Sequence, residues 1–259
     1  MRGYGESDGP QDIAAYNQIE VVNDIVGLVK ALGYETAIVI GHDWGAPTAW
    51  SCAKDHPEVF TAVGALSVPF SPRPAAPPLD TLKALFKNMF FYQLYFQEPG
   101  VAEAEFEKNL EVSLRKFLYI GSGEADVSNM QPKGPDADLL SDIPDPGKLG
   151  DWCRQEDLDY YVSQFAKQGF RGPLNYYRNH NETWEMTVDR PTEIHQPAMF
   201  VAGDKDGVIV MAAEALKNMP TYVKDLRINE LIPDAGHWTQ QEAPDQVNQY
   251  ILQFLSEVA

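Results

Sequence analysis

Apolar residues recur at helical spacing near the start of the chain, where Ile19, Val22, Ile25, Val26, Val29 and Leu32 share a face and Gly33 supplies a stop. This spacing predicts a helix from Asp12 to about Leu32. Thr36–Ile40 follows as a short β-branched run with no polar face, the pattern of a strand covered on both sides inside a parallel sheet. Beyond Gly41–Gly45, Ala46–Lys54 reads as helix and Ala62–Val68 as a second buried strand. Strand signals return only at Pro197–Gly203 and Leu226–Ile232, with helices expected at about Met211–Asn218 and Asp245–Glu257.

Between these halves the pattern changes. Ser71–Pro78 is dense in proline, and about 110 residues follow with aromatic helices and no buried strand. Within them Glu124–Asp151, rich in Pro, Gly and Asp, is expected to be a long loop. The predicted organisation is therefore α/β. Residues 1–70 and 191–259 form a core, a mostly parallel sheet with helices on both faces, and residues 71–190 form an inserted helical cap.

Composition narrows the function. The 259 residues carry 38 Asp plus Glu against 20 Lys plus Arg, a net charge of −18 that repels phosphate backbones and anionic membranes. Nucleic acid is thus not an expected partner. Cys52 and Cys153 make no disulfide framework and fit a reducing compartment. No apolar run approaches the roughly 18–20 residues of a membrane span, and the start, Met1–Asp12, is unlike a signal peptide. The C-terminal residues match no peroxisomal or retention signal, so a cytoplasmic protein is expected.

Candidate chemistry begins at Gly41-His42-Asp43-Trp44-Gly45, between a strand and a helix. A sharp strand-to-helix turn needs glycines to relieve crowding, and it thrusts its apex residue out at the carboxyl edge of the sheet. The apex here is Asp43. A carboxylate is already ionised at pH 7 and can displace a leaving group from saturated carbon, forming an ester. Hydrolysis of that ester needs a base, for which His237, just after the last strand, is the candidate. Its orienting acid is Asp206, with Asp204 as rival, both following the strand that ends at Gly203. The Trp44 backbone N–H, directly after the nucleophile, is a natural oxyanion donor. His42 reads as structural, Asp234 as a turn or cap residue, and His56, His180 and His195 as solvated.

With these residues in place, the chain resembles the α/β-hydrolase family and, within it, soluble epoxide hydrolases, particularly the hydrolase domain of the animal enzymes. The matching stretches are Arg2–Ser7, the Gly41–Gly45 elbow, Tyr92–Gly100, Gly169–Asn175 and Gly236–Gln240. The elbow is shared with haloalkane dehalogenases, and the two cap segments make the choice. The resemblance implies that Tyr92 and Tyr177 hold the epoxide oxygen, with Tyr176 standing where relatives usually have tryptophan. A phenol O–H suits that role, because the leaving oxygen stays attached and gathers charge. Other cap aromatics, Phe90, Phe91, Tyr95, Tyr160 and Tyr161, are expected to be lining or core. The expected partners are a small apolar epoxide and water, with no cofactor and no metal.

The resemblance also implies a longer sheet than the four strands read here. The N-terminal half of the sheet is expected to be missing, and with it an H-G-x-P segment supplying a second oxyanion donor. Two alternatives therefore stand beside the epoxide hydrolase: a haloalkane dehalogenase-like hydrolase and an inactive truncated fragment.

Overall fold

A computed structural model describes residues 1–128 and 130–258. The first helix breaks where Asn17 turns its side-chain amide onto the Ala14 carbonyl, leaving a short 3-10 turn at Ile13–Tyr16. In chain order there follow α1 (Gln18–Ala31), β1 (Ala37–His42), α2 (Gly45–Asp55) and β2 (Phe60–Leu66). Next come seven helices: α3 (Pro78–Leu85), α4 (Tyr92–Tyr95), α5 (Val101–Glu107), α6 (Leu110–Gly121), α7 (Gln155–Gln168), α8 (Arg171–Arg178) and α9 (His180–Met186). The chain closes with β3 (Ile194–Gly203), α10 (Gly207–Met211), α11 (Ala213–Tyr222), β4 (Val223–Ile232), α12 (Thr239–Glu242) and α13 (Pro244–Val258). The expected Met211–Asn218 helix is thus two, parted at Ala212. Gly33, at φ +83°, ends α1 as expected, with the Tyr34 N–H returning to the Val29 carbonyl at 3.1 Å.

The chain divides into two compact units. One holds Gln18–Arg73, Gly121–Gly123 and the residues from Thr187 onward. Its four strands run parallel in the order β1-β2-β3-β4, with Val63 beside Ala198 and Leu66 beside Val201. Because neighbouring side chains point to opposite faces, β2 feeds two cores. Val63 and Ala65 pack with Phe200 under Ala46, Ala49 and Trp50 of α2, while Ala62 and Leu66 pack with Met199, Val201 and, from α13, Val247 and Phe254. A sheet buried on both faces explains the unbroken apolar runs.

The two edge strands differ in chemistry. β4 exposes charged Lys224, Arg227 and Glu230, as a solvent edge should. β1 has no charged residue, and Ile40 is 37% exposed.

The other unit comprises Met1–Asn17, Pro74–Ile120 and Glu124–Met186. Residues 1–17, which the sequence reading groups with the sheet, keep company here with the helices. No strand occurs in this unit among the described residues, and the segment between α6 and α7 has neither helix nor strand; residue 129 within it lies outside the described residues. Phe170 stacks between Phe106 and Phe165, each 4.4 Å away, and Arg178 pairs with Glu103 at 2.8 Å in a buried bidentate contact. Tyr160 departs from expectation: it is 63% exposed, because α7 turns that face to solvent. No helix among the described residues is long and apolar enough to cross a membrane.

Candidate active site

The site in the sheet unit is built on strand ends. At the carboxyl end of β1 the backbone folds back so tightly that a Cβ on Gly41 would lie 1.9 Å from the Gly45 carbonyl oxygen. Only glycine fits there. Asp43 at the apex sits at φ +50°, a left-handed conformation that costs a non-glycine residue about 1–3 kcal/mol and persists where surroundings enforce it. His237 and Asp206 come from loops after β4 and β3. His237 Nε2 stands 3.6 Å from Asp43 Oδ1, and its Nδ1 lies 3.0 Å from Asp206 Oδ2.

Asp206 is 1% exposed and fully engaged: Oδ1 accepts from the Val208 N–H at 2.8 Å, capping α10, and Oδ2 faces the imidazole. The rival Asp204 is occupied elsewhere, accepting the Asp234 N–H at 2.8 Å. Asp234 occupies a turn at φ +64° and pairs with Lys205.

Electrostatics follow from this arrangement. Burial would push the His237 imidazole down, yet its hydrogen bonds to Asp206 and Asp43 and their charges raise it to about 10. Burial likewise opposes ionisation of Asp43. The His237 hydrogen bond and charge, then His42 and the Trp44 backbone N–H, outweigh it and hold the carboxyl below its ordinary range. The Trp44 N–H is thus bonded to the carboxylate that would become the ester carbonyl.

The backbone of His237 is clamped at both ends. Its N–H donates to the Gly121 carbonyl at 2.7 Å, and its carbonyl accepts from His42 Nε2 at 2.7 Å and Ser67 Oγ at 3.1 Å. A carbonyl only accepts, so the His42 proton resides on Nε2, and Nδ1 accepts from Gln240 at 3.3 Å. Burial first, then the neighbouring His237, push His42 down and keep it neutral. Ser67 escaped the sequence reading. It is fully buried at the end of β2 with φ +69°, and its position after a buried strand was the available signal.

Tyr92 on α4 and Tyr177 on α8 are brought together within the helical unit, ring centroids 5.9 Å apart and near-perpendicular. Buried Phe96 packs edge-on to both, at 5.6 and 4.9 Å. Tyr176, next in line, is core: 2% exposed, with its hydroxyl donating to the Arg2 carbonyl at 3.0 Å. Of the remaining histidines, His195 is open to solvent and His56 is only partly exposed, whereas His180 corrects the expectation. Its Nε2 is enclosed, and burial pushes the imidazole down to about 4.

A parallel sheet, an acid-bearing elbow and a His–Asp pair on the following strand ends define a class, the α/β hydrolases. The family profile described as alpha/beta hydrolase fold matches residues 1–244, and the chain belongs to that family. Its relatives there include Epoxide hydrolase A of Mycobacterium tuberculosis, 39% identical over 265 residues that span 99% of this chain and 80% of that protein. Bifunctional epoxide hydrolase 2 of Rattus norvegicus is 37% identical over 98% of this chain, which spans 45% of the rat protein. The solved epoxide hydrolase from an endophytic Streptomyces superposes with a TM-score of 0.93 at 38% identity, over 98% of this chain and 78% of that one.

Proposed function

We propose that this chain opens small apolar epoxides to vicinal diols through an ester on Asp43. The observation that carries the reading is the line Asp43–His237–Asp206, with a carboxylate and not a hydroxyl at the elbow. In the reaction an Asp43 carboxylate oxygen bonds to an epoxide carbon as the carbon–oxygen bond breaks. Tyr92 and Tyr177 hold the departing oxygen and protonate it. Water then adds to the ester carbonyl, the Trp44 N–H stabilises the oxyanion, and the diol departs with the former carboxylate oxygen.

His237 changes role between the halves. Raised to about 10, it is an imidazolium in the resting site. Esterification of Asp43 deletes the adjacent negative charge, so the imidazolium gives up its proton, which returns through solvent to the tyrosinate left by ring opening, and the neutral imidazole then takes a proton from water while Asp206 keeps it oriented.

The identity is shared between a bacterial and an animal enzyme, so the reading rests on what those relatives have in common. The likeness is to bacterial and animal epoxide hydrolases alike, 39% and 37% identical, and it does not single out the animal hydrolase domain that the sequence motifs suggested. Two buried free thiols suit a reducing compartment, and we assign the cytoplasm.

A single turnover of unlabelled enzyme in H2(18)O tests the ester. The first diol should carry oxygen-16 from Asp43 and later diols solvent label; solvent label in the first diol would sink the covalent route. Tyr92→Phe combined with Tyr177→Phe should abolish diol formation. Full halide release from a chloroalkane by that variant would favour dehalogenation instead.

A further inference from the structure

We propose that Gln93 is a positioning residue for epoxide opening, its side-chain amide donating to the Tyr92 phenol oxygen and making Tyr92 a stronger proton donor. The inference rests on the reading of Tyr92 given above. Gln93 Nε2 lies 2.9 Å from the Tyr92 hydroxyl. Adjacent residues on a helix point about 100° apart and do not ordinarily meet, so this contact requires the glutamine to fold back along the four-residue α4. Gln97 holds the arrangement: its amide donates to the Gln93 carbonyl at 2.7 Å and to the Tyr177 carbonyl at 3.1 Å, tying both tyrosine segments together.

The chemistry follows from where charge moves. As the epoxide carbon–oxygen bond breaks and the Asp43 ester forms, the Tyr92 proton passes to the departing oxygen and negative charge accumulates on the phenol oxygen. An N–H already aimed at that oxygen stabilises the charge without reorganisation. The proton later taken from water during ester hydrolysis balances the one the tyrosinate regains, so the cycle sums to epoxide plus water giving diol.

The test is a double-mutant cycle read in single turnovers of styrene oxide, with ester formation and ester hydrolysis resolved by rapid quench. Gln93→Leu should slow ester formation about five- to tenfold, the loss expected for one neutral hydrogen bond, and leave hydrolysis unchanged. On a Tyr92→Phe background the same change should cost less than about twofold, since no phenol oxygen remains to assist. Gln93→Glu, which keeps the length but replaces the donor with an acceptor, should lose at least as much as Gln93→Leu and covers the case in which leucine perturbs α4. An equal loss on both backgrounds, or none, would overturn the proposal while leaving Tyr92 in its role. Full-rate ester formation by Tyr92→Phe alone would overturn the reading of Tyr92 and this proposal together.

Discussion

His237 is cationic at rest because two carboxylates outweigh its burial, and that has a measurable sign. Its folded value of about 10 lies above its ordinary 6.5, so the stability it contributes is fully present below about pH 6.5 and is lost as pH rises toward 10. Asp43 is shifted the other way: its contribution is present above its ordinary 3.8 and is lost as pH falls through its lower folded value. Asp43→Asn, which imitates the charge of the ester, should lower the His237 titration by about one unit or more and flatten the alkaline limb of the stability profile. Imidazole NMR titration and chemical denaturation at stepped pH check both, and an unmoved His237 would remove the basis for the change of role. Asp43, Asp206 and His237 were legible in sequence because each directly follows a strand signal and glycines mark the turns. Ser67 and Gln93 were not. Ser67 meets His237 across 170 positions, and Gln93 acts by folding back against helical geometry, which no periodicity announces.

At the scale of elements, the N-terminal segment is fastened to the helix that bears Tyr177. Gly3 and Gly172 approach so closely that a Cβ on Gly172 would stand 2.7 Å from the Gly3 Cα. Tyr16 packs edge-on against Tyr176 at 5.5 Å, and Asn179 donates to the Ile13 carbonyl at 2.7 Å. Backbone cannot yield as a side-chain tip can, so Gly172→Ala should destabilise by about 1–3 kcal/mol. Gly3→Ala should cost more, because φ +79° adds conformational strain to the same clash. Tyr176→Phe, losing one hydrogen bond, should cost only about 1 kcal/mol. Urea denaturation orders the three, and a neutral Gly172→Ala would contradict the close approach. None of this could be read from the sequence. Local patterns located the strands to within three residues at each end but carried nothing about which distant segment lies on α8.

Over the whole molecule, the surplus of acid and the apolar edge of β1 pull in opposite directions. A charge of −18 separates copies of the chain at low ionic strength, while an uncharged edge strand with exposed Ile40 invites pairing. Screening shortens the repulsion to about 10 Å near 0.1 M salt. Light scattering should therefore show self-association growing with salt, and Ile40→Lys should suppress it by charging the edge. Association indifferent to salt or to that substitution would refute the link.

The contrast between β1 and β4 also bears on handling. For most proteins dilute buffer is a matter of convenience, but for this chain the same reasoning gives it the part of a chaperone. Mutations that erode the acidic coat, harmless to fold and chemistry, would shorten the time the protein survives in a concentrated solution.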